Sequence, residues 1–138
     1  MTPEERIVGK RAALAKWRAS SKGEKYYADN KERIRARNRE RYAERRLEVL
    51  KHYGGDPPKC ACCGESTYEF LSIDHIDGGG TAHKSKVGKG TVYWNSFIKA
   101  GYPVGMQVLC HNCNQAKGYY GECPHQRKQL NSSKGESQ

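Results

Sequence analysis

The chain has 138 residues, room for one modest domain and an appendage, and only 36% of them are hydrophobic, with two Phe and two Trp. That composition excludes a large apolar core and predicts a small domain that needs a staple. The net charge of +10 is uneven: residues 1–52 hold 16 Lys and Arg against 8 Asp and Glu, residues 53–138 only 9 against 7. Such an asymmetry points to a polyanionic partner, of which nucleic acid is the commonest.

The opening "MTPEERIVGKRAALAKW" lacks the apolar centre of a secretory signal, and no later run is long enough to span a bilayer. A cytoplasmic protein with no membrane partner is expected. In that reducing setting the six cysteines read as metal ligands rather than disulfides.

Residues 1–22 read as a poorly anchored helix that "SSKG" at 20–23 interrupts. From Gly23 to His52 nothing breaks a helix until Gly54-Gly55 and Asp56-Pro57-Pro58. Tyr27, Ile34, Tyr42, Leu47 and Leu50 form too sparse a stripe to be buried within the domain. Residues 1–52 are therefore expected to be a basic helical DNA-binding arm, with Arg35 and Arg39 among its phosphate contacts. The competing expectation makes this arm a homodimerisation helix.

A second domain is expected over 53–126. In it "PKCACCGE" reads as a tight turn, and "YEFLSIDHI" (68–76) as a strand with Leu71, Ile73 and His75 on one face. Gly78, Gly79 and Gly80 end that strand, and "TVYWNSFIKAG" reads as a short helix within a basic, glycine-punctuated stretch from 81 to 103. "VGMQVLC" (104–110) is a second strand, and "HNCNQAKGYYG" a helix stopped by Gly118 or Gly121. Residues 127–138 are expected to be a disordered tail.

Cys60 and Cys63 form one C-x-x-C pair, Cys110 and Cys113 another. Four thiolates in two such knuckles suit tetrahedral Zn²⁺ with no open coordination position, so the site is expected to be structural. The long loop between the pairs adds little cost, because closure entropy grows only logarithmically with length. Cys62 is read as a bystander, because only 60 and 63 repeat the spacing of the second knuckle. Cys123 and His125 are read as surface or packing residues.

Such a zinc would bring Asn114, directly behind the second knuckle, near Asp74 and His75 at the end of the first strand. An Asp carboxylate and an Asn carbonyl oxygen are hard ligands suited to Mg²⁺, and an imidazole can serve as a general base. Taken in isolation, Asp74 and His75 read better as a strand-end carboxylate and a surface imidazole; Asn114 in register behind a zinc knuckle turns the reading toward function.

"CACCG", "LSIDHIDGGG" and "QVLCHNCNQAKG", in this order, resemble the HNH (ββα-metal) endonucleases, in particular the zinc-containing phage branch that includes recombination endonuclease VII. The resemblance covers roughly residues 58–125. It implies an α+β fold: a small zinc-stapled ββα-metal domain preceded by the long basic arm. It further implies His75 as general base, Asp74 and Asn114 as ligands of a catalytic Mg²⁺ or Mn²⁺, and a setting in a bacterial or phage-infected cell. The chain departs from the pattern at Gly105, where many members have a loop-holding asparagine; Asn95 is the candidate replacement. Asp77 stands where related enzymes can have a histidine.

The expectation is thus a metal-dependent DNA endonuclease leaving 5′-phosphate and 3′-hydroxyl ends, with Lys117, Lys84, Lys86 and Lys89 on flanking phosphates. The rival is a non-catalytic zinc-containing DNA-binding protein. An RNA-binding module ranks third, since few clustered aromatics are available for base stacking.

Overall fold

The computed structural model describes residues 1–134. The chain divides into two compact units, Met1–Glu40 and Arg41–Gln138. Among the described residues no helix is long and apolar enough to cross a membrane.

In the first unit, α1 (Pro3–Arg18) begins with a capping box. Glu5 N–H donates to Thr2 Oγ1 at 3.1 Å, and Thr2 N–H donates to Glu5 Oε2 at 2.6 Å. Thr2 satisfies a helix-end donor that would otherwise need water, a cap worth about 0.5–2 kcal/mol. None of the residues of α1 is buried.

The chain then turns through Ser20 into α2 (Ser21–Gly54). Gly23 is what lets it do so: a Cβ there would lie 2.1 Å from the Trp17 carbonyl oxygen. Trp17 packs on Tyr26 and Tyr27, with ring centroids 5.6 and 6.4 Å away. The interruption expected at "SSKG" is therefore a tight corner between two helices.

The division into units falls within α2. Its last turns belong to the second unit, since Val49 and Leu50 are wholly buried in that unit's core. The basic arm thus gives way to core-forming sequence before the expected boundary at residue 52, because Val49 and Leu50 pack against the sheet domain that follows.

That second unit is α+β. After a 3-10 turn at Tyr68–Phe70 come β1 (Leu71–His75), α3 (Gly80–Val87), α4 (Thr91–Lys99), β2 (Met106–Cys110), α5 (His111–Tyr120) and α6 (Pro124–Lys134). The strands pair antiparallel, with Leu71 opposite Cys110 and Asp74 opposite Gln107. Leu71, Ile73 and Val108 join Tyr93, Trp94 and Phe97 of α4 in the core. Phe97 is fully buried and contributes about 1.5–3 kcal/mol by its removal from water.

Arg46 anchors α2 to this sheet. Its Nη2 donates to the carbonyls of Leu71 at 2.6 Å and Tyr68 at 3.1 Å. Tyr53 Oη donates to the Pro103 carbonyl at 2.6 Å.

Two elements depart from the expectations. The basic stretch after Gly80 contains a helix, α3, despite its glycines. The tail expected to be disordered is helical as far as Lys134, while residues 135–138 lie outside the described residues. Pro124 suits a first helical position, and Gln126, Arg127, Lys128, Gln129 and Leu130 are all good helix formers.

Candidate metal centre and strand-end site

The first knuckle docks on the edge of β2: Ala61 N–H donates to the Val108 carbonyl at 2.8 Å. Its chain reverses through Gly64, whose φ of +79° is a left-handed conformation that suits glycine. The second knuckle opens α5, where Cys110 is the N-cap and its sulfur accepts from Cys113 N–H at 3.5 Å.

The ligand atoms of Cys60, Cys63, Cys110 and Cys113 all lie within 4.8 Å of one another. Cys63 Sγ and Cys110 Sγ are 3.7 Å apart, and all six cysteines are free thiols. Tetrahedral zinc with bonds of about 2.3 Å to sulfur needs sulfurs about 3.8 Å apart, so this cluster can hold zinc. Burial raises the Cys60 thiol, but backbone N–H groups of Cys110, Cys63 and Cys62 outweigh it and lower the pKa to about 7. Those donors favour the thiolate at Cys60, whereas burial pushes the Cys113 thiol up.

From this knuckle α5 runs along the face of β1 that carries Ser72 and Asp74. Asn114 Nδ2 donates to Ser72 Oγ at 3.0 Å, and Ser72 Oγ donates to the Leu109 carbonyl at 3.0 Å. One turn on, Lys117 Nζ donates to Asp74 Oδ2 at 2.6 Å, which also accepts from Gln107 Nε2 at 2.8 Å. Asp74 is consequently buried, at 8% exposure. The side chains of β1 alternate as expected, but burial does not, because α5 covers the face that carries Asp74 as well.

Lys117 differs from the expectation of a phosphate contact. Its ammonium also reaches the carbonyls of His75 at 3.2 Å and Ile76 at 2.9 Å, so its three donors are all engaged. These bonds clamp the turn after β1, together with the backbone bond from Ile76 N–H to the Gly105 carbonyl at 2.9 Å. The loop-holding role sought for Asn95 therefore falls to Lys117 and to the main chain. Asn95 itself lies half-buried on α4, and Asp77 is exposed in the turn.

His75, the last residue of β1, belongs to the opposite face. Its Nε2 lies 3.0 Å from His83 Nδ1, and His83 Nε2 lies 3.0 Å from Ser96 Oγ. Ser96 Oγ in turn donates to the Tyr93 carbonyl at 2.6 Å. With both rings neutral, this chain fixes the tautomers. The Ser96 oxygen has given its proton to Tyr93 and must accept from His83 Nε2–H; His83 Nδ1 then accepts from His75 Nε2–H, leaving the lone pair of His75 on Nδ1.

Burial lowers the His75 pKa, and the charges of His83, Lys84 and Lys117 add to that against the opposing pull of Asp74. The neutral ring is therefore favoured. Gly80 keeps the Nδ1 side clear, since a Cβ there would stand 3.1 Å from that nitrogen.

Beside Asn114 lies an open cleft of about 630 Å³, lined among others by Ser72, Lys84, Lys89, Arg46 and His111. Neither Asp74 nor His75 lines it, so it is a neighbour of the strand-end groups rather than their enclosure. Lys84 Nζ stands 5.1 Å from the centre of the Tyr93 ring, and Lys86 is exposed on α3. In the first unit Arg39 is exposed, and Arg35 pairs with Glu32 at 3.3 Å on an exposed surface.

Sequence reasoning missed His83 and Ser96. Their only sequence signal was a polar residue on each side of the glycines that punctuate the basic stretch from 81 to 103. It also set aside Cys62, Cys123 and His125, which the structure gathers around Cys113. Compared with protein-family models, curated proteins and solved structures, the chain matches none.

Proposed function

We propose that the protein is a metal-dependent DNA endonuclease of the HNH type. One observation carries the reading: a histidine whose tautomer is set by a chain of hydrogen bonds ends the same strand that presents Asp74 toward Asn114's helix, directly behind a thiol cluster fit for zinc.

The donor chemistry fits Mg²⁺ or Mn²⁺. Asp74 Oδ1 and Asn114 Oδ1 make none of the hydrogen bonds found among the described residues, because their partners bind Asp74 Oδ2 and Asn114 Nδ2. Two hard oxygens suit a magnesium ion that keeps several waters and takes the rest of its shell from phosphate. Bound there, the ion would supply Lewis-acid stabilisation of charge on the scissile phosphate.

The chain's own residues do the rest. His75 Nδ1 accepts a proton from the attacking water, and its Nε2–H stays on His83, which keeps the ring aimed. Lys117 holds the strand-end turn and with it the distance between His75 and Asp74. Water attack on phosphorus with departure of the 3′ oxygen leaves 5′-phosphate and 3′-hydroxyl ends. Lys84, Lys89 and the basic first unit supply charge for the DNA backbone.

A non-catalytic zinc-containing DNA-binding protein is the alternative, and one observation favours it: the Lys117 ammonium already neutralises Asp74. Plasmid nicking across a Mg²⁺ and Mn²⁺ titration separates the two. Nicking that requires the ion and disappears in His75→Ala supports the nuclease; DNA binding with no cleavage under any ion overturns it.

A further inference from the structure

Three side chains left over from the first cluster, the half-buried Cys62, the buried Cys123 and the exposed His125, meet beside it at Cys113. The ligand atoms of Cys62, Cys113, Cys123 and His125 all lie within 4.8 Å of one another, and Cys113 belongs to both groups. His125 Nδ1 stands 3.8 Å from Cys62 Sγ, 3.4 Å from Cys113 Sγ and 3.5 Å from Cys123 Sγ.

Hydrogen bonding does not account for this arrangement. A ring nitrogen offers one proton or one lone pair, and here three sulfurs converge on it. A common centre does account for it. With zinc bonds of about 2.3 Å to sulfur and about 2.0 Å to nitrogen, the sulfur-to-nitrogen edge of a tetrahedron is about 3.5 Å. The three observed separations bracket that value.

We infer that the chain carries a second zinc site, formed by Cys62, Cys123, His125 and Cys113, with the Cys113 sulfur shared between two zinc ions. A thiolate keeps three lone pairs after losing its proton to solvent, so one sulfur can serve both metals. Six cysteines and one histidine then complete two tetrahedra, and no thiol of the chain remains unused. The fully buried position of Cys113 between the knuckles and the Gly121–Cys123 turn agrees with a shared ligand.

The site has a structural consequence. Cys123 and His125 flank Pro124, the first residue of α6, so the second ion ties the start of α6 and the end of α5 to the first knuckle. None of this rests on the nuclease reading, and its test needs neither DNA nor activity.

The test is metal content of the full chain, purified without chelator, measured by elemental analysis against protein concentration. Two zinc ions per chain are expected in the wild type. Cys123→Ser and His125→Ala should each retain one, with the amide spectrum of the Cys60 knuckle preserved. One zinc per folded wild-type chain, or two in both variants, overturns the second site.

Sharing is read separately after replacement by cadmium-113. Two resonances split by mutual coupling through the Cys113 sulfur are expected, and two unsplit resonances overturn the bridge. Should a variant fail to fold, the wild-type stoichiometry and cadmium spectrum still decide.

Discussion

In α1 no side chain is buried, whereas the second unit encloses Val49, Leu50, Leu71, Phe97 and Val108 completely. The first unit is held by local devices: a capping box, a glycine corner and the packing of Tyr26 and Tyr27 on Trp17. Each acts between residues close in sequence. The second unit depends on contacts across long intervals, from Cys60 to Cys113 and from Arg46 to Leu71. Charge divides less sharply: residues 1–40 hold 12 Lys and Arg against 6 Asp and Glu, and residues 41–138 hold 13 against 9, so part of the excess lies on the stretch of α2 that belongs to the second unit.

Removing metal should separate the two units most sharply. Cys110→Ser, or exhaustive chelation, is expected to abolish the dispersed amide spectrum of the region after residue 58 while the helical signal of α1 persists. Apart from the thiol clusters the thin core has little to join the two knuckles, and metal-binding energy in such sites is folding energy. A metal-free protein with an unchanged spectrum would refute the dependence.

Next in size is the chemical step. His75→Ala should lower plasmid cleavage by about 10²- to 10⁴-fold, the usual contribution of a positioned base, with zinc content and DNA binding retained. Gly80→Ala probes the same nitrogen from the other side. Its added methyl crowds His75 Nδ1, so cleavage should fall without loss of fold. Wild-type rates in both variants would remove His75 from the mechanism.

A smaller effect is expected at Lys117. Lys117→Met leaves Asp74 Oδ2 with Gln107 alone and releases two carbonyls of the strand-end turn. Loss of stability by about 1–3 kcal/mol is expected in denaturant titration, in line with leaving polar groups at a largely buried position unsatisfied. If Lys117 merely faced solvent, the midpoint would not move.

The legible parts of the fold were those whose signal is local. Paired cysteines at fixed spacing, the uninterrupted run into Gly54 and the amphipathic pattern around Tyr93 and Phe97 can all be read within a few residues. Asp74, His75 and Asn114 could be singled out because motif order carried the resemblance. Lys117 could not be assigned, because a lysine on a helix looks solvated until its partners on β1 are known. His83 and Ser96 lie 8 and 21 residues beyond His75, and only the packing of α3 and α4 against the strand end joins them. Cys62 and His125 stayed apart for the same reason, since their meeting requires α6 to begin at Pro124.

The smallest effects are expected from single arginines of the first unit, and they separate affinity from chemistry. Arg35 and Arg39 are four residues apart on α2 and therefore share one helix face, while Arg33 and Arg37 lie on another, with Arg33 engaged by Asn30 and Tyr26. If the Arg35 and Arg39 face binds phosphates, each arginine contact releases counterion when DNA binds. Arg35→Gln and Arg39→Gln should then each reduce the slope of log affinity against log salt by about 0.9, and cleavage at saturating protein should not change. Truncation is a coarser form of the same test. It must start no later than Arg41, because a chain beginning at Tyr53 would lose Val49 and Leu50 from the second unit's core. The competing role for this region is self-association, which sedimentation measures directly. An unaltered salt slope together with a dimer-to-monomer shift on substitution would transfer these arginines from a DNA contact to a subunit contact. A reduced slope at constant mass would keep them on DNA and confine the first unit to recognition.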